Sequence, residues 1–482
     1  MLQGNKASVA EGQLLKITKA YGTTGFMYTQ YPHKRFWKTG VTDKLFKESL
    51  IERYSSDSHP SILYVHIPYC EQLCWFCTCH VSITQSYKKV RKYLHRLDKE
   101  INHLVEFCKS NNLKLNIREI HLGGGSPTYV NEEDFIVLVE KLNQLAPISG
   151  LEEFAIEIDP RGVDRSRMHF YADQGINRIS FGVQDFDLKV QKAINRVQPS
   201  YLISNLLPPD IRSKFKNGIS FDMLVGLPHQ TIETMTETCK IIMELDPDRV
   251  CMNYIHYSPE FVKHQTLMCD GKNGRPSSLP DFLERKNIFI AALNTLTGGG
   301  YVRTGYDHFA KPDDANAIAL ASGTMGWNEL GATPGRARDC IGIGISSIST
   351  IGNRYFKSYY ELVDWGKAIE NYLFPIYSEH ALVFDEIVRR EVILSLRIFF
   401  KVDYSTIEEE FSIKFSEYFA NEIRELKSLE DDGLVTVRDD RIVVTEFGYQ
   451  FSNIVCRIFD LHYQGTADSA DTGERFEVMK ID

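Results

Sequence analysis

Basic residues are in deficit in this 482-residue chain: 55 lysines and arginines stand against 64 acids, a formal charge of −9. No basic block interrupts that balance, which argues against a nucleic-acid surface. Long apolar runs are missing as well, so no segment qualifies as a membrane span. Nothing at the N-terminus reads as a signal peptide, and a reducing, cytoplasmic compartment is the expectation for the ten cysteines. A second cysteine pair of the kind that zinc sites use is absent. The triplet Gly123-Gly124-Gly125 has neither G-x-G-x-x-G spacing nor a Walker lysine, so nucleotide phosphates are not indicated.

Four of the cysteines fall within ten residues: Cys70, Cys74, Cys77 and Cys79. They follow Ile62 to Ile67, which reads as a buried strand, so the thiols sit in a loop just past its end. The first three have C-x3-C-x2-C spacing, which gives three thiolates to a cube of iron and sulfide and leaves the fourth iron without a cysteine. Electron-transfer clusters commonly close every iron with a protein ligand. An open iron is a reaction centre that the amino and carboxylate groups of S-adenosylmethionine can take, and the spacing resembles the signature of the radical S-adenosylmethionine superfamily. A zinc knuckle is the competing reading, but one loop this tight, with only His80 beside it, could hardly wrap an ion alone. Whether Cys79 is a ligand stays open.

A hydrophobic fraction of 43% supports one large domain with one or two smaller ones. Residues 1–58 are polar and aromatic without a long period, and read as an arm. From Ile62 strands alternate with amphipathic stretches such as Tyr87 to Phe107 and Glu132 to Leu145. The expected strands are Ile62 to Ile67, Glu119 to Leu122, Glu153 to Ile158, Arg178 to Gly182, Gly218 to Leu224 and Arg249 to Ile255. Six such units predict an α/β fold, a three-quarter (β/α) barrel over residues 59–374 with its chemistry at the C-terminal strand ends. Residues 375–463 change to charged helices, Asp385 to Phe400 and Ser416 to Asp432, and a hairpin, Leu434 to Arg438 with Arg441 to Thr445, a winged-helix-like unit that reads as packing on the barrel. Residues 464–482 read as a polar tail.

The run His121-Leu122-Gly123-Gly124-Gly125-Ser126-Pro127-Thr128 follows a strand, and consecutive glycines let a backbone approach a ligand closely. With it, Tyr64-Val65-His66-Ile67-Pro68-Tyr69-Cys70, Glu157-Ile158-Asp159-Pro160-Arg161, Gly182-Val183-Gln184-Asp185-Phe186, Gly226-Leu227-Pro228 and Asp307-His308-Phe309-Ala310 occur in order. Together they resemble the oxygen-independent coproporphyrinogen III oxidase (HemN) family, from about Tyr28 to the C-terminal unit.

That resemblance implies a 4Fe-4S cluster on Cys70, Cys74 and Cys77, and S-adenosylmethionine contacts from Tyr64, Phe76, Gly124, Glu157 and Ile348. It implies a second S-adenosylmethionine near Gly125, Ser126, Gln184, Arg196, Asp222 and Ile255. The implied reaction is a radical oxidoreductase step of haem biosynthesis: a 5'-deoxyadenosyl radical takes hydrogen from a porphyrinogen propionate, carbon dioxide leaves, and two rounds give two vinyl groups. An electron donor such as flavodoxin or ferredoxin is implied, and a monomer is expected. His66, Cys79 and Glu329 are candidates for catalysis or substrate contact, with a packed, neutral histidine as the plainer reading of His66.

Three departures lie where substrate would sit. Glu329-Leu330-Gly331-Ala332-Thr333 stands in place of Phe-Gln-Gly-Tyr-Thr, Met27-Tyr28-Thr29-Gln30-Tyr31-Pro32 in place of Arg-Tyr-Thr-Ser-Tyr-Pro, and Ile255 in place of a smaller residue. Action on another tetrapyrrole, a methyl transfer or cyclopropanation, and a haem chaperone without turnover therefore stay open beside the oxidase reading.

Overall fold

The computed structural model describes residues 2–21, 28–55, 59–268, 278–335 and 337–463. Met27 and the tail at 464–482 lie outside them. All six expected strands form: β1 (Pro60–Ile67), β2 (Asn116–Gly124), β3 (Glu153–Ile158), β4 (Arg178–Gln184), β5 (Ile219–Val225) and β6 (Arg249–Tyr254). They pair in parallel in chain order. Along them apolar residues such as Val65, Leu122, Ile156, Phe181, Phe221 and Met252 are buried in the main core, while alternate residues such as His66, His121, Glu157, Ser180, Asp222 and Cys251 turn to the barrel interior.

The sheet extends beyond the six. β8 (Asp339–Ile343) joins the free edge of β1 in parallel, and antiparallel strands Ile348–Ile351, Arg354–Ser358, Ile376–Ala381 and Lys38–Thr39 follow it. At the other edge β7 (His308–Ala310) pairs antiparallel with β6. The result is an open sheet of 13 strands. Strand Ile376–Ala381, which the sequence reading put past the barrel at 375, is thus part of the barrel sheet.

Helix Tyr87–Ser110 buries Val90, Tyr93, Leu97, Ile101, Leu104 and Cys108 on one stripe against this sheet, the three-to-four spacing of an amphipathic helix. Helix Ile232–Leu245 starts at a reciprocal capping box between Thr231 and Thr234, which satisfies two otherwise orphaned N–H groups. Pro208-Pro209 divides a crossover into two short helices, Ser200–Leu206 and Pro209–Arg212, as a proline inside a helix requires.

The N-terminal segment is more regular than its composition suggested. Helix Leu2–Tyr21 lays Leu14 and Ile17 into the C-terminal core, and Lys16 and Tyr21 each reach Asp432 at 2.6 Å. Helix Lys44–Tyr54 packs Phe46, Leu50 and Tyr54 on the barrel. The C-terminal unit combines helix Phe384–Ile398 with a three-stranded antiparallel sheet, Lys401–Asp403, Arg441–Val444 and Val435–Val437. The single helix expected from Ser416 to Asp432 is two, Phe415–Tyr418 and Ala420–Asp431, broken at Phe419, whose ring is buried against Phe415 and Phe459.

Candidate active site

The cysteine loop is clamped at both ends and along its length. Tyr69–Cys70 pairs in parallel with Ser82–Ile83, and Thr84 N–H donates to the Cys70 carbonyl at 3.1 Å. Between these points Trp75 N–H donates to Ile194 O, and Asn195 Nδ2 donates to Leu73 O. His264 Nε2 meets Cys77 O at 2.7 Å, and Gln265 Nε2 donates to Phe76 O at 3.1 Å. A loop held by three separate segments can hold thiols at fixed positions without metal.

Cys74 is buried under two guanidinium groups: Arg196 Nη1 lies 3.4 Å and Arg161 Nη2 3.6 Å from its Sγ. Asp159 accepts from Arg161 at 2.6 Å and faces Arg196 at 3.3 Å, holding both in place. Burial and neighbouring thiols push Cys70 upward, and a hydrogen bond from Cys77 to Cys79, with burial, raises Cys77. Thiols crowded this way resist ionising unless cations join them. Among the described residues no three His, Cys, Asp or Glu side chains meet at one point as a single ion requires. An iron–sulfur cube takes one thiolate per corner iron, so it fits thiols spread around a volume rather than converging on a point.

Each glycine of the triplet gives way to a different neighbour. A Cβ on Gly123 would stand 2.6 Å from Glu157 Oε1, one on Gly124 2.6 Å from the His66 ring, and one on Gly125 2.8 Å from the Pro68 backbone. Glu157 Oε2 accepts Gly124 N–H at 3.1 Å, and Oε1 meets His121 Nε2 at 3.2 Å. Burial works against its charge, but His121 and the Gly124 N–H outweigh burial and hold Glu157 below the ordinary carboxylate range. The half-buried carboxylate opens to a cavity of about 760 Å³ in the barrel interior.

Tyr64, His66, Cys79, Gly124, Glu157, Asp222, Glu329 and Ile348 all line that cavity. His66 is held on both ring nitrogens, Nδ1 by Tyr64 Oη at 3.1 Å and Nε2 at the His80 carbonyl at 3.0 Å, and burial lowers its pKa. This is the packed, neutral histidine. Cys70, Cys74, Cys77, Phe76, Gly125, Ser126, Gln184, Arg196 and Ile255 are not among the cavity's lining residues. Phe76 and Ile255 share one apolar cluster with Val190, Ile194, Leu227 and Met268. Gly125 and Ser126 spend their N–H groups on Ile67 O and Tyr69 O, both at 2.8 Å. Arg196 is taken by Cys74, Asp159 and the Gly182 carbonyl. Of the six residues assigned to a second S-adenosylmethionine, Asp222 alone lines the cavity, bonded to Ser180 Oγ at 2.9 Å.

Glu329 bridges the arm to the barrel, accepting from Gln30 Nε2 and, at 2.5 Å, from Thr350 Oγ1. Burial raises its pKa against the pull of Thr350, Gln30 and Lys34. Lys34 and Arg35, which follow the altered arm motif, line the cavity on the arm side, and with them stand two residues the sequence reading gave no role, Lys357 and, opposite the cysteine loop, His308. Burial, and then Lys357, bring Lys34 down to about 7. The only hint in the sequence was the Lys34-Arg35 pair after the altered arm motif; nothing local marks Lys357.

The profile described as "Radical SAM superfamily" matches residues 64–242, and that described as "HemN C-terminal domain" matches residues 385–451. Oxygen-independent coproporphyrinogen III oxidase of Escherichia coli (strain K12) is 33% identical over 454 residues, spanning 94% of this chain and 96% of the relative. The protein of that name from Helicobacter pylori is 32% identical over 92% of this chain and 96% of its own. The solved structure of the Escherichia coli radical SAM enzyme coproporphyrinogen III oxidase (HemN) superposes with a TM-score of 0.82 at 32% identity, over 91% of this chain and 98% of that one. The order of motifs, the partial barrel and these matches along nearly the whole length agree: the chain belongs to the oxygen-independent coproporphyrinogen III oxidase family of radical SAM enzymes.

Proposed function

We propose that this enzyme carries out the oxygen-independent oxidative decarboxylation of coproporphyrinogen III, turning two propionates into vinyl groups. The observation that carries the reading is the pairing within one cavity of an ionised acid at the glycine turn, Glu157, with a cationic rim, Lys34, Arg35 and Lys357. The first suits an amino or ribose group, and the second suits a substrate bearing several carboxylates.

Cys70, Cys74 and Cys77 would hold the 4Fe-4S cluster, with Arg161 and Arg196 offsetting the negative charge at Cys74. Glu157 and the Gly124 backbone would orient S-adenosylmethionine, with Tyr64 and Ile348 as walls and Phe76 supporting the loop from behind. Bound together, cluster and S-adenosylmethionine supply one-electron cleavage to a carbon radical strong enough to remove a propionate hydrogen. The chain's own residues fix the substrate edge at the cationic rim and exclude water from the barrel interior. Loss of that hydrogen atom, of carbon dioxide and of one further electron to an acceptor balances each vinyl formed. His66 shapes the turn at Gly124 rather than moving protons, and Cys79 faces substrate.

The reading includes a cytoplasmic monomer that draws its electron from a flavodoxin- or ferredoxin-like donor; the nine cysteines among the described residues, all free of disulfides, support the reducing compartment. No described helix is long and apolar enough to cross a membrane. Glu329, a half-buried acid in the cavity wall, favours a second reading in which another tetrapyrrole is the substrate. Anaerobic incubation of reconstituted enzyme with S-adenosylmethionine, reductant and coproporphyrinogen III separates the two. Formation of 5'-deoxyadenosine with loss of two carboxyl groups is expected; 5'-deoxyadenosine without decarboxylation would transfer the case to the second reading.

A further inference from the structure

Opposite the cysteine loop, His308 lines the cavity. It sits on β7, in register with Cys251 of β6. Its Nδ1 is 2.5 Å from Asp307 Oδ1, and Asp307 Oδ2 lies 3.6 Å from Arg397 Nη2. Arg397 comes from helix Phe384–Ile398 of the C-terminal unit and is only 1% exposed. Its guanidinium stacks over the Trp327 ring at 4.3 Å, and that ring stands edge-on to His308 at 5.8 Å. Its Nε, Nη1 and Nη2 have no hydrogen-bond partner. A buried guanidinium so placed is costly unless it serves a charge, and the charge it faces is Asp307.

Nε2 of His308 is the side of the ring away from Asp307. A Cβ at Gly331 would stand 3.3 Å from it, and Gly331 has φ +101°, so glycine keeps this edge uncovered. Burial opposes a charge on His308, but Cys251 and Asp307 outweigh it and raise its pKa well above the ordinary value. The upward direction follows from a carboxylate at 2.5 Å. Cys251, whose own pKa burial raises against the pull of His308, is a weak sulfur acceptor beside it.

Resting on the decarboxylase reading for the substrate's carboxylates, we propose that His308 is a substrate-contacting anchor for one propionate, and that Arg397 is its positioning residue, acting through Asp307. A carboxylate arriving at Nε2 displaces the weaker thiol and gains a charge-assisted hydrogen bond. The C-terminal unit then sets the substrate's place in a barrel to which it contributes no lining side chain of its own.

Two measurements on the full-length, anaerobically reconstituted enzyme test this. In turnover, His308→Gln is expected to raise KM for coproporphyrinogen III about tenfold or more, with the loss falling on KM more than on kcat. Arg397→Met should raise KM less, Arg397→Lys should restore most of it, and the double variant His308→Gln/Arg397→Met should be no worse than His308→Gln alone. In equilibrium binding, followed by fluorescence, wild type should prefer coproporphyrin III over its tetramethyl ester, and His308→Gln should shrink that preference. An unchanged preference in His308→Gln overturns the anchor, and additive effects in the double variant overturn the positioning role. If the Arg397 variants lose iron, Asp307→Asn takes their place under the same criteria. The binding arm decides the anchor even if wild type leaves coproporphyrinogen III intact, an outcome that would sink the decarboxylase reading instead.

Discussion

The carboxylate of Glu157, near the end of β3, accepts the backbone N–H of Gly124 at the end of β2 at 3.1 Å. This bond joins two neighbouring strand ends and aims an ionised group at the cavity, with His121 steadying the other oxygen. Glu157→Gln keeps an oxygen for the Gly124 N–H and nearly the same volume, so the turn should persist. What it removes is the charge. S-adenosylmethionine affinity should fall about tenfold or more, the worth of a charge-assisted hydrogen bond, while iron content stays at the wild-type level. Unchanged affinity by equilibrium dialysis would remove Glu157 from the proposed cofactor site.

Cys79 lines the cavity, and the other three thiols of its loop do not. Alanine at any of those three should abolish the four-iron cluster and with it S-adenosylmethionine cleavage. Cys79→Ala should retain the cluster and lose turnover of the porphyrinogen. Iron and sulfide analysis of the four reconstituted variants checks this, and a Cys79→Ala protein without a cluster would make that thiol a ligand.

What could be read from the sequence follows how locally each feature is encoded. The six barrel strands alternate buried apolar residues with residues facing the cavity, six to nine residues at a time, and the thiols and Glu157 sit in contiguous motifs at their ends. Strands Ile348–Ile351 and Arg354–Ser358 are four and five residues long, too short to show a period of their own. Helix Leu2–Tyr21 escaped notice for a related reason: of its C-terminal half, only Leu14 and Ile17 are buried, too few to set a period. Long-range pairs are the least legible. Lys34 meets the field of Lys357, and Arg397 meets Asp307, only because the fold brings the arm and the C-terminal helix to one barrel.

Lys34 gives the substrate step a pH dependence whose sign is fixed. Burial and the Lys357 ammonium lower its pKa to about 7, so it carries full charge below that value and loses it above. A carboxylate is held best by the charged form. KM for coproporphyrinogen III should therefore rise as pH goes from 6 to 8.5. Lys34→Arg, which stays protonated throughout, should flatten the rise, and Lys357→Met should move it to higher pH by removing the repulsion. A KM profile identical in wild type and Lys34→Arg would exclude Lys34 from the substrate rim.

Glu100 couples pH to the far wall of the same cavity. It is buried on helix Tyr87–Ser110, where one oxygen accepts Gly344 N–H at 3.0 Å and Trp365 Nε1–H at 3.2 Å. Burial dominates those two bonds and raises its pKa from 4.5 to about 8. Between these values the folded protein holds a proton that the unfolded chain has released, so folding takes up a proton and stability falls as pH rises through the window. The full span sets an upper bound of ~5 kcal/mol on that fall. Glu100→Gln presents a carbonyl oxygen to the same two donors without the ionisation, so its Tm should fall less than that of wild type between pH 5 and pH 8.5. The loss in wild type should begin at the turn Glu100 holds, since Gly344 leads through Ser346 and Ser347 to Ile348 in the cavity wall. Hydrogen exchange at residues 344–348 should accordingly quicken at high pH in wild type and much less in Glu100→Gln. Equal pH slopes of Tm in the two proteins would show that Glu100 is already ionised in the fold.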